Sequence, residues 1–152
     1  MLAELPEIQP MDSTPSASGD DRVLGIAAHV SSLVLPLLGP AIVYAVAVAR
    51  STAATACGRQ HAATALNFHL TMALVIPAAL IGHSVSVLGA TVLAAGPGDL
   101  MSLMLATTGS FLGWFALLAG FGLFELTCMA LGCVAAARGR PFTYPLAIPL
   151  FH

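Results

Sequence analysis

The sequence predicts an all-α fold, an integral membrane helical bundle with three long apolar stretches. Apolar residues make up 58% of the 152 residues, whereas charged residues make up only 8%, against about 25% in a soluble domain. So few charges cannot cover a protein surface in water, and the mean hydropathy of +0.92 agrees. The stretches at 23–49, 61–96 and 100–137 each exceed the roughly 20 apolar residues that a helix needs to cross a bilayer.

Composition also argues against several kinds of partner, cross-link and bound group. Lysine is absent and the five arginines form no basic stripe, so we expect the lipid bilayer but no nucleic acid as a partner. Three cysteines without a CxxC spacing argue against a disulfide framework and against a zinc knuckle. We expect no cofactor and no metal.

The N-terminal residues 1–21 form an acidic segment that is broken by three prolines. It has too little apolar surface to offset the entropy of ordering a chain, so we predict a disordered tail. Asp20 or Asp21 is expected to cap the helix that follows. Residues 22–151 then form a single transmembrane domain.

The first apolar stretch is interrupted at Pro36 and again at Gly39 and Pro40. Proline removes a backbone donor and clashes with the preceding helical turn, so we predict two half-helices, roughly 22–36 and 39–50. They could be collinear, with a kink and a single crossing of the membrane. They could instead form a re-entrant hairpin that returns to its own side.

His29 distinguishes these two arrangements of the first stretch. A single crossing places it in the outer half of the membrane near His83, whereas a re-entrant hairpin brings it near His69. In both arrangements the broken backbone must face protein, because lipid offers no hydrogen-bond partners.

Charges in the loops predict the topology. The loop 50–59 carries Arg50 and Arg59 without an acidic residue, which places it in the cytoplasm by the positive-inside rule. Arg138 and Arg140 place the C-terminus there too. The composition, rich in alanine and free of lysine, suits a bacterium, so we predict a multi-pass protein of the bacterial inner membrane. The side of the N-terminus stays open.

Polar side chains collect where the second stretch begins. At about 1.5 Å per helical residue, His69 and Glu125 lie at a similar depth, both displaced from mid-membrane toward the cytoplasm. We therefore expect Glu125, which is the only carboxylate in the three apolar stretches, to partner His69, Asn67 or Thr64. The candidate intramembrane polar cluster comprises His29, His61, Thr64, Asn67, His69 and Glu125.

Two interpretations of this cluster compete. Intramembrane ionisable groups raise the suspicion of a polar path or a substrate site. The alternative, which we favour, is that the polar groups hydrogen-bond neighbouring helices and fix their packing. A metal site is not favoured, because His61 and His69, the two histidines at the start of the second stretch, are eight residues apart. A catalytic site is not favoured either, because no Ser or Cys lies beside an identifiable base.

Glycines in the third stretch and prolines in the C-terminal segment predict how each of these segments packs and ends. Gly109 and Gly113 form a small-xxx-small motif, which predicts a face for a homo- or hetero-oligomer. Gly139 is expected to end the helix, because glycine suits the position after the last helical turn. Residues 141–152 carry a proline every four residues and cannot be helical, so we expect an extended segment at the membrane interface, anchored by Tyr144.

Several motifs carry a resemblance to a known family. In chain order they are Ala28-His29-x-Ser31, Gly39-Pro40, His61-x-x-x-Ala65-Leu66-Asn67-Phe68 and Arg138-Gly139-x-Pro141-x-x-Tyr144-Pro145-Leu146. Together they resemble a bacterial membrane family of unknown function that is similar to the Tic-twenty component of the chloroplast inner-envelope import machinery. The resemblance implies a small helical membrane protein with a polar helix entrance, and it implies no activity or catalytic residue.

Three classes of function remain. The leading one is a non-enzymatic component of a membrane assembly. The second is a transport or translocation component with a polar path between helices. An intramembrane enzyme is the third and the least favoured, since no reactive constellation is visible.

Overall fold

The computed structural model describes residues 18–50, 56–94 and 99–151, and in these ranges it contains four helices and no strand. The helices are α1 (Gly19–Val34), α2 (Leu38–Ala49), α3 (Ala56–Ala94) and α4 (Leu100–Ala137). The prediction of an all-α fold is confirmed. Two of the helices described, α3 and α4, are long and apolar enough to cross a membrane.

The first apolar stretch folds as two short helices, as predicted, so the described residues contain two helices, not three, that are long enough to cross a membrane. α1 has 16 residues and α2 has 12, which correspond to about 24 Å and 18 Å of helix. Neither length crosses a bilayer core of about 30 Å. The break falls at 35–37, close to the predicted one.

α1 and α2 pack against each other as a helical hairpin, which we call the α1–α2 hairpin. Gly39 lies so close to Ser31 that a Cβ atom there would overlap the Ser31 carbonyl group. At the tip, Pro36 and Leu37 line one cavity with Pro77, which lies midway along α3. α2 then returns toward the start of α3.

Contacts at both ends of the hairpin show its direction. Asp21 Oδ1 accepts a hydrogen bond of 2.7 Å from the backbone N–H of Gly58, so α1 begins beside the start of α3. Ala47 of α2 lies in the same buried core as Ala62 and Ala65. The α1–α2 hairpin therefore begins and ends beside the same end of α3, so the two half-helices fold back on each other and are not collinear.

A substitution at Gly39 tests this hairpin. Gly39→Ala is expected to lower the free energy of unfolding by about 1–3 kcal/mol, because the new methyl group meets backbone atoms that cannot move aside. Gly120→Ala is the matched control, since a Cβ atom at Gly120 meets nothing within 4 Å. Unfolding in mixed micelles of increasing SDS content measures both variants. Equal stability of the two would contradict the close approach of α1 and α2.

The capping of the first helix differs from the prediction. Ser18, not Asp20 or Asp21, caps α1 by accepting a hydrogen bond of 3.2 Å from the Asp21 N–H. Asp21 caps α3 instead, and it is only 5% exposed. A carboxylate suits a helix N-terminus, where unpaired N–H groups and the helix dipole favour negative charge. A partner 37 residues away could not be read from local sequence.

Two predicted loops lie only partly inside the described residues. Of the tail 1–21, residues 1–17 lie outside them, and 19–21 belong to α1 rather than to a disordered segment. Of the loop 50–59, residues 51–55 lie outside them, and 56–59 already belong to α3.

α3 and α4 pack against each other as antiparallel helices. His83 Nε2 donates to the Ser110 carbonyl at 3.3 Å, and the indole N–H of Trp114 donates to Ser84 Oγ at 3.2 Å. A Cβ atom on Gly113 would lie 2.5 Å from the His83 ring. Gly113 therefore serves packing inside the chain, and of the predicted Gly109/Gly113 oligomer face only the Gly109 position is open.

The end of α4 is the predicted glycine stop. Gly139 has φ 64°, and its N–H donates to the Ala136 carbonyl at 2.9 Å. The Arg140 N–H donates to the Ala135 carbonyl at 2.9 Å. This pair of bonds is the Schellman motif that ends many helices at a left-handed glycine.

In the C-terminal tail, residues 138–151, Tyr144 is not the predicted anchor at the membrane interface. Tyr144 is 2% exposed and stacks on Phe68 with ring centroids 4.3 Å apart. The chain turns at Pro145 and Leu146 and runs back along α3. A buried tyrosine needs a hydrogen-bond partner for its hydroxyl group, and Tyr144 finds one in the His29 ring.

Candidate functional site

A chain of buried hydrogen bonds joins α1, α3 and the C-terminal tail, and we call it the histidine relay. The Tyr144 hydroxyl lies 2.7 Å from His29 Nδ1. His29 Nε2 lies 3.0 Å from His61 Nδ1. His61 Nε2 lies 3.0 Å from the backbone carbonyl of Arg140. Both imidazoles are buried, with 0% of His29 and 1% of His61 exposed.

The direction of every bond in the relay follows from its last acceptor. A carbonyl can only accept, so His61 Nε2 carries a hydrogen and donates to Arg140. In a neutral ring His61 Nδ1 is then an acceptor, so His29 Nε2 donates to it. His29 Nδ1 accepts in turn from the Tyr144 hydroxyl. Burial raises the pKa of Tyr144, which keeps the phenol protonated as this donor.

Two glycines make room for the histidine relay. A Cβ atom on Gly132 of α4 would lie 2.8 Å from His29 Cε1. A Cβ atom on Gly25 of α1 would lie 3.1 Å from His61 Cδ2 and 2.9 Å from the Ala136 side chain. Larger side chains would push the imidazoles out of line, so these glycines are part of the site. No signal in the sequence identified them.

A second group of bonds ties the end of the tail to α3, and we call it the Asn67 clamp. The Asn67 amide donates to the Phe151 carbonyl at 2.9 Å. Its oxygen accepts from the N–H groups of Leu150 at 3.1 Å and Phe151 at 2.9 Å. Thr71 accepts from the Ile148 N–H at 3.0 Å while donating to the Asn67 carbonyl. The Asn67 side chain thus both donates to and accepts from the tail backbone, as the backbone of a neighbouring β-strand would.

The third group is an imidazole–carboxylate pair. His69 Nδ1 lies 3.4 Å from Glu125 Oε1, with His69 5% exposed and the Glu125 side chain 31% exposed. The pair lies on a cavity of about 270 Å³ beside the tip of the α1–α2 hairpin. The cavity is otherwise lined by Pro36, Leu37, Met72, Ala73, Ile76 and Pro77.

The predicted cluster is therefore divided among separate groups. The structure brings together His69 and Glu125, and separately His29 and His61. The Asn67 side-chain amide forms hydrogen bonds with the backbone of the tail and not with Glu125. Thr64 donates to the carbonyls of Gln60 and His61 in its own helix, both at 3.0 Å. Tyr144 and the backbone of the tail were missed as partners.

Most of the polar side chains in these three groups form hydrogen bonds within the chain, which hold the helices and the tail together. Within the ranges that the structure describes, every buried side-chain nitrogen and oxygen has a hydrogen-bond partner. Among the same residues, no group of three or more His, Cys, Asp or Glu side chains could hold a metal ion. The His69–Glu125 pair differs from the relay because it borders an open cavity.

Comparison with known proteins corrects the family suggested by the motifs. Residues 20–151 match the model of the MamF/MmsF family, described as the magnetosome magnetite crystal formation protein family. The match covers nearly the whole chain, so the protein belongs to this family, and the Tic-twenty-like assignment is wrong. No curated protein and no solved structure matches the chain.

Proposed function

We propose that this chain, as a MamF/MmsF family member, is a non-enzymatic integral membrane component of the magnetosome that acts in magnetite crystal formation. The observation that carries the proposal is the family match, which spans all four helices and the tail up to residue 151. Because the match includes the α1–α2 hairpin, the histidine relay and the Asn67 clamp, the whole folded unit belongs to the proposed activity.

The geometry of the polar groups supports a non-enzymatic role. The histidine relay ends on a backbone carbonyl, and the Asn67 clamp binds backbone groups of the tail. Both sets of side chains are held in place by the chain itself. In membrane proteins such interhelical bonds stabilise packing.

The proposed placement puts α3 and α4 across the bacterial magnetosome membrane. α3 has 39 residues, about 58 Å of helix, so it tilts or extends beyond a core of about 30 Å. Arg50, Arg59 and Arg138 lie at the end of the molecule where the α1–α2 hairpin begins and ends, and Asp99 lies at the other. The positive-inside rule favours a cytoplasmic side for the arginine end.

Complementation in a magnetite-forming bacterium tests the proposal. In a strain lacking its own MamF/MmsF genes, the chain is expected to co-isolate with magnetically separated vesicles and to change crystal size seen by electron microscopy. Gly132→Leu is expected to abolish the change, because a side chain there displaces His29. Gly122→Leu is the matched control, since its Cβ position is open. Recovery of the wild-type chain only in non-magnetic membranes would contradict the proposal.

A second candidate function rests on the cavity beside Glu125. A carboxylate and an imidazole that border an open cavity are suited to passing a cation, which would make the chain a translocation component. Flux of protons or ferrous ions into liposomes, lost in Glu125→Leu and kept in Thr64→Val, would favour it. Absence of flux from the purified, folded chain would remove this candidate.

A further inference from the structure

The molecule is thick at one end and thin at the other. α1 contacts the last part of α4, where Gly25 meets Ala136 and Ser32 donates to Met129 Sδ at 3.6 Å. The hairpin tip reaches the level of Pro77. Leu146, at the turn of the tail, lines a cavity with α4 residues of 116–124. The thick half therefore contains four helices and the tail.

Among the described residues, the thin half consists of α3 beyond Pro77 and the facing part of α4. Its contacts are made between these two helices, as at His83 and Gly113. A cavity of about 370 Å³ near the Asp99 end is lined by residues of α3 and α4 alone. Cβ atoms built on Gly82, Gly89 and Gly109 would meet nothing within 4 Å. The cross-section of the protein thus decreases from the arginine end to the Asp99 end.

The outer surface of the α1–α2 hairpin is apolar. Val34 at the end of α1 is 79% exposed and Leu38 at the start of α2 is 61% exposed. Val30, Leu33, Leu35 and Ile42 are also exposed. An apolar surface of this extent is unfavourable in water and is covered by lipid or protein.

Charges and length identify the occupant of that surface as lipid. Both ends of the hairpin carry charges, with Asp20 and Arg22 at one end and Arg50 at the other, whereas the residues between them carry none. From Arg22 to Val34 in α1, and from Arg50 to Leu38 in α2, each helix extends about 18 Å, which is near the thickness of one leaflet with its headgroups. Acyl chains of a single leaflet match this length and this charge pattern.

We propose that the α1–α2 hairpin inserts into the cytoplasmic leaflet alone and makes the protein a wedge that favours convex curvature of that leaflet. The inference rests on the membrane placement of the proposed function. Four helices and a tail displace more lipid area in the leaflet that contains the hairpin than two helices displace in the other. A protein with unequal areas in the two leaflets is most stable where the wider side lies on the convex surface.

Depth measurement tests the insertion. Trp114, the only tryptophan, is retained in the wild-type chain as an internal reporter in α4. In a Trp114→Phe background, Val34→Trp is expected to be quenched most by lipids brominated near the end of the acyl chain. Val23→Trp, at the base of α1, is expected to be quenched most by lipids brominated near the headgroup.

Vesicle size tests the wedge. The full chain is reconstituted into phosphatidylcholine–phosphatidylglycerol vesicles of two diameters, and protease cleavage of an N-terminal tag counts molecules whose arginine end faces outward. The outward fraction is expected to be several-fold higher, relative to the inward fraction, in small vesicles than in large ones. Val34→Asp is expected to remove this bias, because it places a charge at the tip. Val23→Asp, beside the existing charges, is the matched control and is expected to keep it.

The outcomes separate this inference from the proposed function. Deep quenching at Val34 with no orientation bias would overturn the wedge and leave the membrane placement intact. Absence of quenching at Val34, with Trp114 quenched in the wild-type chain, would overturn the one-leaflet insertion. Absence of quenching at Trp114 would overturn the membrane placement on which both rest.

Discussion

Replacement of Asn67 by leucine is expected to release the C-terminal tail from α3. The substitution removes three hydrogen bonds and leaves the N–H groups of Leu150 and Phe151 facing an apolar side chain. Asn67 is 4% exposed, so water cannot replace its amide while the tail stays in place. Each buried unpaired group costs about 1–3 kcal/mol, so we expect a loss of about 3 kcal/mol or more, which favours detachment of the tail.

Hydrogen exchange measures this detachment at the tail itself. The amides of Ile148, Leu150 and Phe151 are expected to exchange faster by orders of magnitude in Asn67→Leu than in the wild-type chain. Thr64→Val is the matched control on the same helix, because Thr64 bonds only carbonyls of its own helix in this structure. If the two variants exchange alike, the clamp does not hold the tail.

The behaviour of Asn67 shows what sequence reasoning can and cannot predict. A buried asparagine in an apolar stretch indicates that a partner exists, since an unpaired amide in that environment is costly. The partner here is backbone of residues 150 and 151, more than 80 positions away. Every residue carries the same backbone groups, so nothing in the sequence of the tail identifies it as that partner.

The contact between His69 and Glu125, unlike that of Asn67, could be predicted from the sequence. Both residues lie on long regular helices, so a rise of about 1.5 Å per residue fixes their depth once the ends of the helices are known. The expected proximity agrees with the distance of 3.4 Å between His69 Nδ1 and Glu125 Oε1. Depth does not determine which way a side chain points, and the sequence therefore left Asn67 and Thr64 as equal candidates.

The sequence left two arrangements open for the first apolar stretch, because composition does not show in which direction the second half-helix runs. Prolines at 36 and 40 correctly indicated a break, but collinear and folded-back helices bury the same residue types. The structural feature that favours the folded-back form is the approach of Gly39 to the Ser31 backbone, which only a glycine permits. His29 was the useful discriminator, and its bond to His61 at 3.0 Å excludes a position beside His83.

The family was misassigned from motifs that describe packing. His29, His61 and Tyr144 of those motifs form the histidine relay, and Asn67 forms the clamp. Such residues indicate how a tail is held against a bundle. They carry no information about what the assembled bundle does, so a resemblance based on them could not establish the family on its own.

Replacement of His29 by leucine is expected to destabilise the protein by breaking the histidine relay. His29→Leu leaves His61 Nδ1 without a donor and the Tyr144 hydroxyl without its acceptor, both in a buried site. Two unpaired groups together lower the free energy of unfolding by about 2–6 kcal/mol. His29→Gln is expected to recover part of the loss, because an amide can accept from Tyr144 and donate to His61. His83→Leu is the control, since His83 makes one bond of 3.3 Å, to Ser110, in the thin half.

A double-mutant cycle separates the relay from general destabilisation. Tyr144→Phe keeps the ring that stacks on Phe68 and removes only the hydroxyl that donates to His29. If the groups act as one hydrogen-bonded chain, the combined variant His29→Leu/Tyr144→Phe is less damaging than the sum of the two single variants, by about 0.5–3 kcal/mol. The same cycle between His83→Leu and Tyr144→Phe is expected to be additive, because those residues lie in different halves of the molecule. Additivity in the His29 cycle would mean that the short distance between Tyr144 and His29 contributes nothing to stability, and the relay would then be reduced to separate buried side chains.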